Sequence, residues 1–107
     1  SGTLESHYAP KAKVRLMTSG EWQQALQALG PHAQNLALWS AQKPSYELMD
    51  SGLLWRAMPK DATHAAHDLF SVLRDFDSRG VQTIWIETPP QTPDWEGVRD
   101  RLNRAAA

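Results

Sequence analysis

Apolar residues change their spacing several times along this chain, and that alternation narrows the open folds more than any other feature. Residues 13–17 put Val14 and Leu16 on one side and Lys13 and Arg15 on the other, the period of two of a strand. Trp22, Ala25, Leu26 and Leu29 then fall on one helical stripe. Thr18 and Glu21 stand at its start with capping-box spacing, in which each side chain satisfies a backbone N–H that the first turn leaves unpaired. Gly30-Pro31 ends the helix, because Gly takes the left-handed cap and Pro cannot continue the ladder. Leu36-Ala37-Leu38-Trp39 is apolar without a break, which suits a strand covered on both faces. Residues 41–52, with Pro44, Tyr46, Leu48, Met49 and Gly52, show no clear period and read as a loop. A strand is expected at 53–58, closed by Pro59.

The strongest helical pattern spans 61–79. Ala62, Ala65, Ala66, Leu69, Phe70, Leu73 and Phe76 form one face, and His64, His67, Asp68, Ser71, Arg74, Asp75 and Ser78 the other. Asp61 is the expected cap at its start and Gly80 suits its end. Thr83-Ile84-Trp85-Ile86-Glu87 reads as a strand ended by Pro89-Pro90. A last helix is expected to open with Thr92 as cap and Pro93 at its first position. Trp95, Val98, Leu102 and Ala105 are its buried stripe, and Arg101 and Arg104 oppose the negative end of its dipole. The order strand, helix, strand, loop, strand, helix, strand, helix predicts an α/β layer structure: a mostly parallel sheet of about four strands joined by right-handed crossovers. Residues 1–12 show neither period, and Pro10 biases Ala9 toward an extended backbone. They read as an arm or linker ahead of a folded domain at 13–107.

A chain of 107 residues fits one domain with a modest core. Eleven Lys and Arg against twelve Asp and Glu leave a net charge of -1, which argues against direct binding of nucleic acid. With no cysteine, disulfides, thiolate metal sites and thiol nucleophiles are excluded. Apolar runs fall far short of the roughly 20 residues of a membrane helix, and no signal-peptide pattern opens the chain. The expectation is a soluble protein without membrane contact. Its first residue is Ser rather than Met, which suggests a piece of a longer polypeptide.

In an open α/β sheet ligands sit at the carboxyl ends of the strands. Of those ends only Thr18-Ser19-Gly20 resembles a phosphate cradle, since it leads straight into a helix N-terminus. It lacks the glycine spacing of a dinucleotide or P-loop motif, so capping is the plainer reading and an anion site the alternative. His64 and His67 share a helix face, but zinc needs three or four ligands and only Asp68 lies near; no metal site is expected. His32 reads as loop. Asp75 and Asp77 do not face each other on a helix, and Asp94 and Glu96 suit a first helical turn. No nucleophile and base stand at a telling spacing, so no catalytic residue is expected here. Lys11, Lys13 and Arg15 alternate as charges do on a protected edge strand. Trp22, Trp39, Trp85 and Trp95 belong to the core. Trp55, beside Arg56, is the one tryptophan that would mark an interface if exposed. In the arm, His7, Tyr8 and Pro10 are grouped where no packing period requires them, which points to docking on a partner surface.

Gly2, His7, Tyr8 and Pro10 also match a motif of the form Ser-Pro-Gly, four variable residues, then His-Tyr-x-Pro. This arm resembles the interdomain linker of the two-domain threonylcarbamoyl-AMP synthase family, although Ser1 stands where the family has Pro. The remainder is similar to that family's C-terminal domain at Met58-Pro59, in the Ala-His-Asp-Leu-Phe-x-x-Leu-Arg stretch at 66–74, and at Asp77 before Gly80-Val81. Ile84-Trp85-Ile86-Glu87, Pro89-Pro90 and Val98-Arg99-Asp100-Arg101-Leu102 continue the likeness, which covers essentially the whole chain.

The resemblance implies a Rossmann-like three-layer α/β/α domain. It implies a full-length cytoplasmic enzyme that condenses threonine, bicarbonate and ATP, with magnesium, to threonylcarbamoyl-adenylate and pyrophosphate for tRNA modification. The chemistry would belong to a YrdC-like catalytic domain of the same polypeptide. The present chain would be its non-catalytic accessory domain, holding no cofactor itself, with a linker that covers the catalytic cavity through His7, Tyr8 and Pro10. Two alternatives stand beside it. One is a nucleotide- or small-ligand-sensing domain that uses Thr18, Ser19 and Gly20. The other is an interaction module that docks on its catalytic domain or forms a homodimer through Trp55 and the 41–52 loop.

Overall fold

The computed structural model describes residues 9–30, 32–45, 49 and 51–107. His7, Tyr8, Pro31, Tyr46 and Leu48 lie outside the described residues. Four strands, β1 (Lys13–Met17), β2 (Leu36–Ser40), β3 (Leu54–Ala57) and β4 (Thr83–Glu87), form one sheet in the order β1-β4-β2-β3. Every neighbouring pair is parallel. Among the described residues three α-helices accompany them: α1 (Ser19–Leu29), α2 (Ala62–Ser78) and α3 (Glu96–Ala106). The expected parallel α/β architecture is therefore the one found. Among the described residues no helix is long and apolar enough to cross a membrane.

Strand parity divides the core in two. Val14, Ala37, Trp39, Ile84 and Ile86 point to the face covered by α2 and α3, where they meet Leu69, Leu73, Phe76, Val98 and Leu102. Met17, Leu36, Leu38 and Trp85 point to the other face, against Trp22 and Leu26 of α1 and Leu53. β2 is buried at all five positions, as a central strand between two helical layers must be. β1 is an edge strand whose Lys13 and Arg15 stay exposed, so its charges guard an open edge as expected.

The helix ends show which local signals prevailed. At α1 the capping box is complete. The Thr18 N–H donates to Glu21 Oε1 at 2.8 Å and the Glu21 N–H to Thr18 Oγ1 at 3.2 Å. Gly30 closes the helix at φ 56°, in the left-handed region that suits glycine, and its N–H reaches the Leu26 carbonyl. Asp61 occupies the cap position of α2 but makes no side-chain capping bond; its carboxylate pairs instead with the His64 imidazole one turn along. Thr92 likewise caps nothing with its side chain. The segment from Pro93 begins as a 3-10 turn, Pro93–Trp95, and becomes α-helical only at Glu96. β3 is shorter than the expected 53–58, with Leu53 and Met58 buried just beyond its ends. Within 41–52, read from the sequence as a loop, the Met49 N–H bonds the Ser45 carbonyl at 3.0 Å, the i to i−4 spacing of a helical turn.

The capping box predicts both a stability loss and a pH dependence. Its Thr18 bonds hold the Glu21 carboxyl below its ordinary value of 4.5. A lowered acid contributes stability that is complete above that value and is lost as pH falls through the native one. Thr18→Ala is expected to cost about 1 kcal/mol at neutral pH. Urea denaturation at pH 7 checks it; for the pH dependence, the gap between Glu21→Ala and wild type should shrink between pH 7 and pH 3.

Candidate functional site

Because the strands are parallel, Met17, Ser40, Ala57 and Glu87 all end at one edge of the sheet. The chain leaves β1 and β2 for the α1 face, where Met49 and Leu53 pack after β2, but leaves β3 and β4 for the opposite face. Neighbouring strand ends whose connections diverge in this way leave a crevice, the usual ligand position in such sheets. Here it is a cleft of about 190 Å³ lined chiefly by Met58, Pro59, Lys60, Thr88, Pro89 and Trp95. Its walls are fixed by backbone bonds, Met58 N–H to the Ser40 carbonyl and Thr88 N–H to the Met17 carbonyl, both 2.8 Å. The Arg99 guanidinium donates to the carbonyls of Pro90 and Thr92 and so holds the proline rim against α3.

Polar groups at this edge are committed to one another. Glu87 Oε1 accepts from the Trp22 indole N–H at 3.0 Å, tying the end of β4 to α1. Ser40 is fully buried; its hydroxyl donates to the Gln42 carbonyl at 2.7 Å and accepts from the Trp55 indole N–H at 3.0 Å. Trp39 donates to the Ala57 carbonyl at 3.2 Å. The Lys43 ammonium stands 5.9 Å from the centre of the Trp55 ring, near the limit of a cation–π contact. Trp55 is thus half-buried and bonded rather than an exposed interface marker. The four other tryptophans are core residues, as their stripes required.

Thr18, Ser19 and Gly20 sit at the same edge and are exposed. Of the donors an incoming anion would use there, the Thr18 and Glu21 N–H groups are already engaged in the capping box. On α2, His64 pairs with Asp61 and His67 with Asp68 at 3.3 Å, all on a largely exposed face. The His64 partner holds the Asp61 carboxyl below its ordinary value. Among the described residues no three of His, Asp and Glu converge to hold a metal ion.

The opposite, amino edge carries a contact that the sequence reading missed. Asp77, in the last turn of α2, accepts the Lys11 N–H at Oδ2 and the Ala12 N–H at Oδ1, each at 3.0 Å. The next amide, Lys13, donates to the Gln82 carbonyl at 2.9 Å. Ala12 is already in the core and Pro10 is half-buried. Asp75, two residues earlier, instead bonds Arg79 at 3.2 Å and Arg56 at 3.4 Å. The available signal was Asp77 standing one turn before a Gly helix stop, where a carboxylate can reach a neighbouring strand's entry. For Glu87 the signal was an acid closing an otherwise apolar strand.

A protein-family model described as the C-terminal domain of threonylcarbamoyl-AMP synthase matches residues 1–107. No curated protein and no solved structure matches the chain.

The Trp22–Glu87 bond yields a paired prediction. Glu87→Ala strands a buried indole N–H and is expected to cost about 1–3 kcal/mol, whereas Glu87→Gln keeps an acceptor and stays within about 1 kcal/mol of wild type. Urea midpoints followed by tryptophan emission measure both.

Proposed function

The chain belongs to the threonylcarbamoyl-AMP synthase C-terminal domain family over its whole length, and from that premise we propose that it is the accessory domain of such a synthase. The observation that carries this reading is that whole-length family match. In the proposal a YrdC-like catalytic domain of the same polypeptide performs the chemistry in the cytoplasm. It joins threonine and bicarbonate to the adenylate of ATP, with magnesium, and releases pyrophosphate. The product serves tRNA modification by another component. Support for an accessory rather than a catalytic role comes from the carboxyl edge, where Glu87, Ser40 and Thr18 are occupied in bonds that hold elements together.

The arm has its own part in the proposal. His7 and Tyr8 carry hydrogen-bonding and stacking groups, and Pro10 stiffens the chain behind them. Laid over the catalytic cavity, they would exclude water from a labile mixed anhydride and gate its release. A second reading, small-ligand sensing at the carboxyl edge, is favoured by the cleft of about 190 Å³. Calorimetric titration of the chain with ATP and with threonine separates the two, since saturable binding supports sensing and its absence removes it.

The accessory reading predicts that this chain alone, given threonine, bicarbonate and ATP, releases no pyrophosphate above background. Robust turnover would refute it. In the full-length synthase, His7→Ala with Tyr8→Ala is expected to raise the hydrolytic loss of the adenylate about three- to tenfold, the order of one or two lost hydrogen bonds. Chromatographic quantification of adenylate against pyrophosphate measures that loss.

A further inference from the structure

Three consecutive amides at the mouth of the domain are held, Lys11 and Ala12 by the two oxygens of Asp77 and Lys13 by the Gln82 carbonyl. Only the third belongs to the backbone bonding of the sheet; the first two depend on one side chain. A carboxylate that accepts two successive N–H groups, one at each oxygen, fixes the direction of the backbone as well as its position. The groups behind Asp77 are themselves fixed. Phe76 beside it is buried in the core, and the Gly80 N–H returns to the Asp77 carbonyl at 3.1 Å in a turn where Gly80 has φ 79°. The Gln82 N–H bonds the Asn35 carbonyl at 2.8 Å, so the amino edge is braced from β1 through to the start of β2.

Ahead of this clamp, chain length alone sets an upper limit on reach. Tyr8 is three residues before Lys11, and a trans backbone spans at most about 11 Å in three steps and about 14 Å in four. Pro10 lies in that interval with its backbone angle locked. Covalent geometry therefore confines the Cα atoms of Tyr8 and His7 to within those distances of Lys11. Whatever fixes Lys11 limits where the two side chains can act.

We propose that Asp77 is a positioning residue that anchors the arm, so that His7 and Tyr8 are presented to the neighbouring catalytic domain from a fixed point at the amino edge. Asp77 acts through the backbone of Lys11 and Ala12 and touches no substrate. The assignment of a task to the anchored arm rests on the accessory reading above; the anchor itself does not.

Two measurements separate these. The first is amide hydrogen exchange on this chain, comparing wild type with Asp77→Ala and Asp77→Asn. Asn retains one acceptor oxygen and replaces the other with a donor. Lys11 and Ala12 should both exchange at least about tenfold faster in Asp77→Ala, and at least one of them in Asp77→Asn, with the Ile84 and Ile86 amides unchanged as the control for folding. Unchanged protection at Lys11 and Ala12 would overturn the anchor, whatever the chain's function. The second measurement is adenylate loss by the full-length synthase. Asp77→Ala should raise it to the level of the His7→Ala, Tyr8→Ala double variant, and all three substitutions together should go no further. Retention at the wild-type level, or an effect that adds to that of the arm variant, would overturn the positioning role. If the full-length protein forms no adenylate, the accessory reading fails while the exchange result still decides the anchor.

Discussion

β4 is the constraint on which the rest of this fold depends. It is the last strand in the chain, yet it lies between the first two, paired in parallel with β1 on one side and β2 on the other. Thr83 stands level with both Lys13 and Leu36, so a single strand sets the register of three. Its side chains also divide the two cores: Ile84 and Ile86 support the α2–α3 layer, and Trp85 the α1 layer. A parallel strand cannot be closed by a hairpin, so α2 must cross a face of the sheet to deliver it. Its seventeen residues and well-buried face are what that crossing requires.

Tryptophan serves this small domain in two ways. A chain of 107 residues has little interior, and large rings fill it with few side chains. Each buried ring also brings an N–H that must be paired. Trp22, Trp39 and Trp55 use theirs to join separate elements, through Glu87, the Ala57 carbonyl and Ser40. Among the described residues no buried side-chain polar atom is left without a partner. The polar groups at the carboxyl edge thereby serve as cross-braces between separate elements.

The two edges of the sheet do different work. The carboxyl edge holds the proline-rimmed cleft between diverging connections. The amino edge receives the chain, and there Asp77 grips the backbone just before β1 begins. The arm of the proposed function enters at the amino edge, so that edge bears most directly on the proposal.

Much of the secondary structure was legible because it depends on local periods and caps. Val14 and Leu16 alternating with Lys13 and Arg15, the Thr18–Glu21 box and the helical stripe from Ala62 to Phe76 each specify their element within a few residues. The family likeness was legible too, since it rests on the arm motif and turn residues read in order. Asp61 and Thr92 show the limit of local signals: both sit where a cap belongs, but no side-chain capping bond forms. At Asp61 the imidazole of His64 takes the carboxylate instead. Strand order, the Trp22–Glu87 brace and the Asp77 clamp were beyond the sequence. The brace and the Ala12–Asp77 bond join residues 65 positions apart, and the β1–β4 pairing residues 70 apart. A repeating pattern tells a residue which face to bury, but not which strand will lie beside it. That choice is made only when α2 crosses the sheet and places β4 between β1 and β2.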